Sequence, residues 1–349
     1  MGIEILVKVG YNQNIGYKQT KVQKEEDMRV GIAGAGMIVP TFLDAAALVD
    51  EMEIYAVFAR REEVRKEFCE RYRIPVGYDS YDKLLADSKV DVVYVALPNN
   101  LHFSFTKEAL KAGKHVILEK PFTVSYEEAK EIAKLAREKK LYLFEAITNQ
   151  YNPNYDKMKE LLPRLGEIKL VALNYSQYSS RYDNFKKGII SPSFDPKKAG
   201  GALMDLNIYN IHIVAGLFGK PLRVRYCPNI ERGVDTSGVL MMEYPDFQAV
   251  CIAAKDCGAP LSINVQGNKG FLHSSSPANS LTEFSFQENK CEPEHYHLAD
   301  SPERLFYELE TFVKYYEDGD WEAFDKRLDH SLMVMEILDA ARNPKNQGL

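Results

Sequence analysis

The amino-acid sequence predicts an α/β protein that begins with a doubly wound parallel sheet and continues into a second α/β domain. Three observations predict it. A short apolar strand runs into a glycine-rich turn near residue 34, strands and helices then alternate over about 120 residues, and alternating apolar segments follow after residue 230. We place the first domain at residues 28–147 and the second, for substrate binding and dimerisation, at residues 148–349.

Length and composition support two globular domains. The chain has 349 residues, of which 45% are hydrophobic and 27% charged, and a domain usually takes roughly 150 residues. Lysine and arginine number 44 against 50 acidic residues, a net charge of −6 without long charged blocks, which argues against a nucleic-acid partner.

Five scattered cysteines without a C-x-x-C pair indicate a reducing cytosol. Apolar stretches too short to span a bilayer predict no membrane partner.

Residues 1–27 form an expected N-terminal extension. Their apolar run at Ile5 to Val7 is flanked by charges, and no cleavage site follows, so we expect no secretion signal. One hypothesis makes Met28 the natural start of the chain, and the alternative is a genuine N-terminal strand or tail. Both remain open on the sequence.

The glycine-rich turn has the setting of a dinucleotide site. The strand 29–33 leads into Gly34 and Gly36, and a helix is expected over 40–49. Gly34 would make the tight turn, and Gly36 would let the backbone approach a pyrophosphate at the helix N-terminus. Val39 replaces the third glycine of the usual pattern, and a purely structural turn explains Gly-x-Gly about as well. Met37 and Ile38, which follow the turn, are further candidate cofactor contacts.

The next strand ends in basic residues, which favours NADP over NAD as the cofactor. After strand 54–58 an acidic side chain would bind the ribose of NAD, but Ala59 and Arg60 stand there. The Arg60 guanidinium can pair with a 2′-phosphate. Alternatively, Arg60 and Arg61 only stand at the start of a solvent-exposed helix over 61–72.

The remaining pattern completes the first sheet and begins the second. Apolar runs and helical periodicity predict strands over 91–97, 115–118 and 141–146 and helices over 104–112 and 125–138. In the second domain they predict antiparallel strands over 239–244, 249–255 and 261–267, and a last helix over 327–342. Asp339 interrupts the apolar stripe of that helix, which could pack back on the first domain.

Several motifs occur in a characteristic order, and together they resemble the glucose-fructose oxidoreductase/inositol dehydrogenase (Gfo/Idh/MocA) family, closest to the branch with dihydrodiol and aldose dehydrogenases. They are Gly31-Ile32-Ala33-Gly34-Ala35-Gly36, Pro98-Asn99-Asn100-Leu101-His102, Ala112-Gly113-Lys114-His115-Val116, Glu119-Lys120-Pro121 and the run from Gly200 to Tyr209. The resemblance implies a Rossmann domain and a C-terminal α/β domain with an open, mostly antiparallel sheet. It also implies a homodimer or homotetramer.

Three residues are the candidate catalytic groups. Lys120 stands where a parallel strand should end, the usual place for ligands, and Pro121 after it permits a cis bond. We expect desolvation to lower the pKa of Lys120 towards neutrality. Asp205 and Tyr209 lie four residues apart on an expected helix and so share a face, with His212 three residues further. The resemblance implies that Tyr209 protonates a carbonyl oxygen while Asp205 orients Lys120 or the substrate.

Further site residues follow from the resemblance. Pro98, Asn99, His102 and Glu119 are expected, with Lys120, to contact the cofactor. Gln150, Tyr151 and His212 are candidate substrate residues, although sheet packing explains the tyrosine equally well. We expect no metal, because Cys291, Glu294, His295 and His297 fit no closed zinc pattern.

The sequence therefore predicts a cytoplasmic NAD(P)-dependent oxidoreductase. It would move hydride between nicotinamide and a carbinol or carbonyl carbon of a small sugar, polyol or dihydrodiol-like substrate. Two alternatives remain: a non-catalytic dinucleotide-binding sensor of the same fold, and an enzyme that recycles a tightly held cofactor in place.

Overall fold

The first sheet is parallel throughout and has six strands. The computed structural model describes residues 27–343, so the expected N-terminal extension lies outside the described residues except for Asp27. The strand order is β3-β2-β1-β4-β5-β6. The strands are β1 (Met28–Ala33), β2 (Met52–Phe58), β3 (Val76–Tyr78), β4 (Val92–Val95), β5 (His115–Glu119) and β6 (Leu143–Ala146).

Helices connect these strands and cover the sheet, which confirms the predicted doubly wound fold. They are α1 (Ile38–Ala46), α2 (Glu62–Tyr72), α3 (Tyr81–Ala86), α4 (His102–Lys111) and α5 (Tyr126–Lys139). Strand β4 is buried along its whole length, as its continuous apolar sequence requires for a strand covered on both faces. The strand order reverses between β1 and β4, and such a reversal opens a crevice at the carboxyl ends of the strands.

The second sheet has eight strands in the order β14-β13-β12-β11-β7-β10-β9-β8. The strands are β7 (Ile168–Ser176), β8 (Arg223–Glu231), β9 (Val234–Glu243), β10 (Gln248–Ala254), β11 (Ser262–Gly267), β12 (Gly270–Ser274), β13 (Phe284–Glu288) and β14 (Glu294–Tyr296). Its helices are α6 (Pro153–Leu161), α7 (Tyr182–Lys186), α8 (Ile208–Phe218), α9 (Phe306–Asp318) and α10 (Trp321–Arg342).

The second sheet is mostly antiparallel, as expected, with one difference in pairing. Strand β10 is antiparallel to β9 but parallel to β7, and β11 pairs with β7 and β12. The early strand β7 therefore separates β10 from β11, which are consecutive in the chain. Local sequence patterns carry no signal for an insertion of this kind.

Helix α8 is the apolar centre of the second domain. A π-helical turn at Leu203–Asn207 precedes it, and α8 is buried from Ile208 to Ala215. In the described part of the chain, Pro196–Phe218 is the one helical stretch long and apolar enough to cross a membrane, but 72% of its apolar window is buried inside the protein. Burial of this kind is ordinary for a core helix.

Helix α10 returns to the first domain and caps one of its helices. Asp339 accepts a hydrogen bond at 2.6 Å from the backbone N–H of Tyr126, at the N-terminus of α5. Nearby, Tyr142 packs its ring 5.1 Å from that of Phe324. The polar interruption in the apolar stripe of α10 is therefore explained, because a carboxylate satisfies an unpaired N–H and suits the positive helix end.

We expect Asp339→Ala to lower the free energy of unfolding by about 1 kcal/mol, the usual cost of a lost helix cap. Urea denaturation measures the change. Lys326→Ala, which removes only an exposed pair with Glu322, is the control and should leave stability nearly unchanged. Equal stability of the wild type and Asp339→Ala would contradict the capping role.

Candidate active site

The glycine turn after β1 lies at the crevice between β1 and β4. Gly34 has φ +119°, and a Cβ there would lie 2.4 Å from the Ala96 carbonyl oxygen, so only glycine fits. A Cβ at Gly36 would meet only that same oxygen, at 3.7 Å. Gly36 therefore leaves open space beside the backbone at the start of α1. The turn fits the pyrophosphate of a dinucleotide in the way that the sequence predicts.

Basic side chains surround the end of β2. Arg60 is exposed, and among residues 27–343 it forms no ion pair. Arg65 from α2, which sequence reasoning missed, donates a hydrogen bond at 2.9 Å to the Ala59 carbonyl. Two guanidinium groups therefore lie beside the end of β2, where the sequence predicts the 2′-phosphate of NADP, and Ala59 and Arg60 occupy the positions at which a carboxylate would select the ribose of NAD.

Lys120 meets the helical segment that carries the other two candidate catalytic residues. Lys120 directly follows β5, and its bond to Pro121 is cis. Its ammonium lies 3.1 Å from Oδ1 of Asp205 and 3.2 Å from the Asp205 carbonyl oxygen. The same ammonium lies 5.1 Å from the ring centroid of Tyr209. The structure thus brings the three predicted catalytic residues into one cluster.

A second lysine completes this cluster. Lys255 follows β10 and is 2% exposed, and its ammonium lies 2.7 Å from Oδ2 of Asp205. It also donates to the Ser193 carbonyl and lies 4.3 Å from the Phe194 ring centroid. Sequence reasoning missed Lys255. The signal was a lysine directly after the apolar run of β10, the same kind of strand-end position that identified Lys120.

The charges of the cluster differ from the expectation for Lys120. Burial lowers the pKa of Lys120, but Tyr209, Asp205 and Glu119 together raise it above its ordinary value. The expected shift towards neutrality is therefore wrong for this structure, because the carboxylates outweigh desolvation. Burial would raise the pKa of Asp205, yet Lys120 and Lys255 hold it well below its ordinary range. Asp205 is thus a carboxylate and Lys120 an ammonium at neutral pH.

Tyr209 is a buried phenol facing two cations. It is 7% exposed, and burial raises its pKa, while Lys120 and then Arg304 act to lower it. Arg304, just before α9, interacts with the Tyr209 hydroxyl and with the carboxyl groups of Glu119 and Glu308. Sequence reasoning did not identify Arg304. Burial is the largest effect, so the pKa of Tyr209 stays above its ordinary value and the side chain is a neutral phenol. The neighbouring cations would stabilise the phenolate that forms when its proton leaves.

Glu119 and His102 hold the catalytic segment in place. Glu119 is 8% exposed and accepts a hydrogen bond at 2.6 Å from the Tyr94 hydroxyl. The His102 ring nitrogens lie 2.8 Å from the carbonyl oxygens of Pro121 and Leu97. Burial lowers the pKa of His102. These contacts tie the ends of β4 and β5 together, and contact of either residue with a cofactor stays a prediction.

The loop after β4 touches the second domain. It begins with Pro98, and Asn99 donates a hydrogen bond at 3.1 Å to the Ala199 carbonyl. At the glycine turn, Met37 is 78% exposed, and it is followed directly by α1, which starts at Ile38. Contact of these residues with a cofactor stays a prediction.

The three candidate substrate residues have partners within the protein. Gln150 is buried and donates at 3.0 Å to the His212 carbonyl. Tyr151 is buried beneath the Arg327 guanidinium, which lies 5.0 Å from its ring centroid. His212 is fully buried, with Nδ1 3.0 Å from Nε2 of His330. Their assignment to the substrate stays a prediction.

The cysteine, histidine and acidic residues near residue 295 are not grouped as metal ligands would be. Among residues 27–343, no three histidine, cysteine or acidic side chains are grouped so that they could hold a metal. Glu294 is instead paired with Arg164 at 2.7 Å.

Comparisons with known proteins agree with this architecture. Residues 28–147 match the model of the GFO/IDH/MocA family described as "Oxidoreductase family, NAD-binding Rossmann fold". Residues 155–273 match the model of the GFO/IDH/MocA C-terminal domain.

Individual relatives cover most of the chain. Scyllo-inositol 2-dehydrogenase (NADP(+)) IolU of Bacillus subtilis is 29% identical, covering 92% of this chain and 98% of that protein. Trans-1,2-dihydrobenzene-1,2-diol dehydrogenase of Sus scrofa is 30% identical, covering 73% of this chain and 76% of that protein. A 3-ketoreductase from Actinomadura kijaniata, solved with NADP and TDP-benzene, has a TM-score of 0.79 at 23% identity, covering 90% of this chain and 97% of its own. The similarity to the 3-ketoreductase concerns the fold alone.

We expect Asp205→Asn to lower the unfolding free energy at neutral pH by about 2–4 kcal/mol, because it leaves the buried Lys255 ammonium without its carboxylate. The depressed pKa of Asp205 stabilises the wild type above the unfolded-state pKa of about 3.9, and this contribution is lost as pH falls below it. The difference in unfolding free energy between the wild type and Asp205→Asn should therefore become smaller at acid pH.

Urea denaturation between about pH 7 and about pH 3 measures this difference. Asp325→Asn, which removes a surface partner of Arg137, is the control and should show a small difference. A gap between wild type and Asp205→Asn that stays constant on acidification would contradict the charge assignment.

Proposed function

The chain belongs to the GFO/IDH/MocA oxidoreductase family and is an NAD(P)-dependent dehydrogenase acting on CH–OH groups, and we propose that its cofactor is NADP and its substrate a cyclic polyol, sugar or dihydrodiol-like alcohol. The observation that carries the proposal is the cluster of Lys120, Asp205 and Tyr209 at the carboxyl ends of the parallel strands. Relatives named for scyllo-inositol and for a dihydrodiol support the substrate class.

The residues of the crevice fit the proposed cofactor. The turn at Gly34 and Gly36 would receive the pyrophosphate, and Arg60 with Arg65 would face the 2′-phosphate. Pro98 and Asn99 follow β4 on the nicotinamide side. When bound there, the nicotinamide supplies or accepts the hydride. The protein supplies orientation and proton transfer.

Tyr209 is the proposed proton donor in reduction and proton acceptor in oxidation. Its hydroxyl belongs to a buried side chain, and Lys120 and Arg304 both favour the phenolate that forms when the proton leaves. Lys120 remains an ammonium, so its role is to donate a hydrogen bond to the reacting oxygen and to stabilise negative charge there. Asp205 holds that ammonium in position.

The surroundings of Tyr209 suit a small ring-shaped alcohol. Tyr175 from β7 is 4% exposed, and its ring centroid lies 6.2 Å from that of Tyr209. Two phenol rings offer apolar faces together with hydroxyl groups, which matches the alternating CH and OH groups of a polyol.

Assembly and location remain predictions. The outer face of the second sheet exposes apolar side chains on β7, β9 and β12, and such a face is typical of an interface between subunits. These side chains are Leu170, Val239, Met241 and Phe271. We propose a homodimer formed through this face and a cytoplasmic location.

We expect Tyr209→Phe and Lys120→Met to reduce kcat/KM by about 10²–10⁴-fold, the usual contribution of a positioned acid–base group. NADPH binding, measured by fluorescence titration, should stay nearly unchanged in Tyr209→Phe. Tyr296→Phe, on the edge strand β14, is the matched control with full activity. Wild-type rates in Tyr209→Phe would overturn the assignment of the proton donor.

We expect Arg60→Ala to weaken NADPH binding by about tenfold and to leave NADH binding unchanged, because only NADPH carries the 2′-phosphate. Titration of both cofactors against the wild type and the variant measures the effect. A preference for NAD that survives the substitution would refute the NADP assignment.

A panel of polyols, aldoses and dihydrodiols, followed at the nicotinamide absorbance with both cofactors, tests the function as a whole. Turnover of at least one cyclic polyol or sugar is expected. Tight dinucleotide binding without turnover of any of them would favour the sensor.

A further inference from the structure

Arg181 reaches from the second domain to the glycine turn of the first. It precedes α7, and its guanidinium Nη2 lies 2.6 Å from Sδ of Met37, directly after Gly36. Sequence reasoning placed only first-domain residues at this turn. The structure therefore adds a cation where the pyrophosphate would be bound.

The segment that carries Arg181 is anchored on the catalytic sheet. The backbone N–H of Gln177 donates at 2.9 Å to the Ala254 carbonyl, and that of Ser179 donates at 2.9 Å to the Lys255 carbonyl. Tyr182 closes the turn by donating to the Ser179 carbonyl at 2.9 Å. Arg181 is thus fixed to the end of β10, the same strand end that presents Lys255 to the catalytic cluster.

The Arg181 charge has no carboxylate partner. Within residues 27–343 it forms no ion pair, and its guanidinium donates its hydrogen bond to a thioether, which is a weak acceptor. Met37 itself is 78% exposed, so its side chain is free to move aside. A guanidinium that donates to a sulfur atom remains available to bind a stronger acceptor.

The N-terminus of α1 also lacks a negative partner. No side chain caps it, and its first turn contains no acidic residue. Its N–H groups and the positive end of its dipole point towards the turn that Arg181 approaches. Two independent sources of positive charge, one from each domain, therefore converge on the open side of Gly36.

We propose that Arg181 is a cofactor-binding residue that pairs with the pyrophosphate of NADP from the second domain. On binding, the guanidinium exchanges the Met37 sulfur for phosphate oxygens, which it can bind in a bidentate fashion. This inference rests on the proposed dinucleotide site. It adds a contact shared by NADPH and NADH, in contrast to Arg60, which meets only the 2′-phosphate.

Direct titration of NADPH and NADH against the purified full chain tests the inference, with the dissociation constant as the readout. Arg181→Met should weaken both cofactors by about tenfold and to the same extent, while Arg181→Lys should retain part of the affinity. Arg225→Met removes an exposed arginine on β8 and is the matched control with wild-type affinity. An unchanged melting temperature of Arg181→Met verifies its folding.

Three outcomes would count against the proposal. Unchanged affinity of Arg181→Met for both cofactors would overturn it. A loss confined to NADPH would overturn the pyrophosphate contact and place Arg181 at the 2′-phosphate. A wild-type chain that binds neither cofactor would overturn the proposed function itself, whatever the variant does.

Discussion

The carboxylate of Asp205, held between two lysines, is the interaction on which the candidate site depends. Lys120 comes from the end of a first-domain strand and Lys255 from the end of a second-domain strand, and Asp205 bridges their ammonium groups at 3.1 and 2.7 Å. Burying any one of these charges alone would cost free energy, but the carboxylate and the two ammonium groups compensate one another's charge. The same contact therefore orients the candidate catalytic lysine and links the two sheets.

A layer of buried polar groups lies behind this bridge. Both carboxylate oxygens of Glu308 are buried without a hydrogen-bond partner, and burial raises the pKa of this group well above its ordinary value. A protonated Glu308 would leave Arg304 less neutralised and so strengthen its action on Tyr209. Electrostatics at the phenol is thus set by Lys120 at the crevice and by Arg304 behind it.

Features that depend on neighbouring residues could be predicted from the sequence. The Gly34 and Gly36 turn, the position of Lys120 at a strand end and the four-residue spacing of Asp205 and Tyr209 are of this kind, and the structure brings them together as expected. Lys255, Arg304 and Arg181 could not be found, because their proximity follows from how β7, β10 and α9 are arranged in space. The pKa of Lys120 was mispredicted for the same reason: its carboxylate partner Asp205 is 85 positions away.

The return of α10 to the first domain has a consequence for biosynthesis. Asp339 caps α5, and Phe324 covers Tyr142 beside the last strand of the first sheet. A ribosome makes the first domain early, and domains usually fold as they emerge. Ser125 already caps α5 locally, but the early domain keeps an unpaired Tyr126 N–H and an uncovered aromatic face until α10 leaves the exit tunnel. The nascent chain therefore reaches this packed state only after α10 has been made, and chaperones have an apolar surface to bind until then.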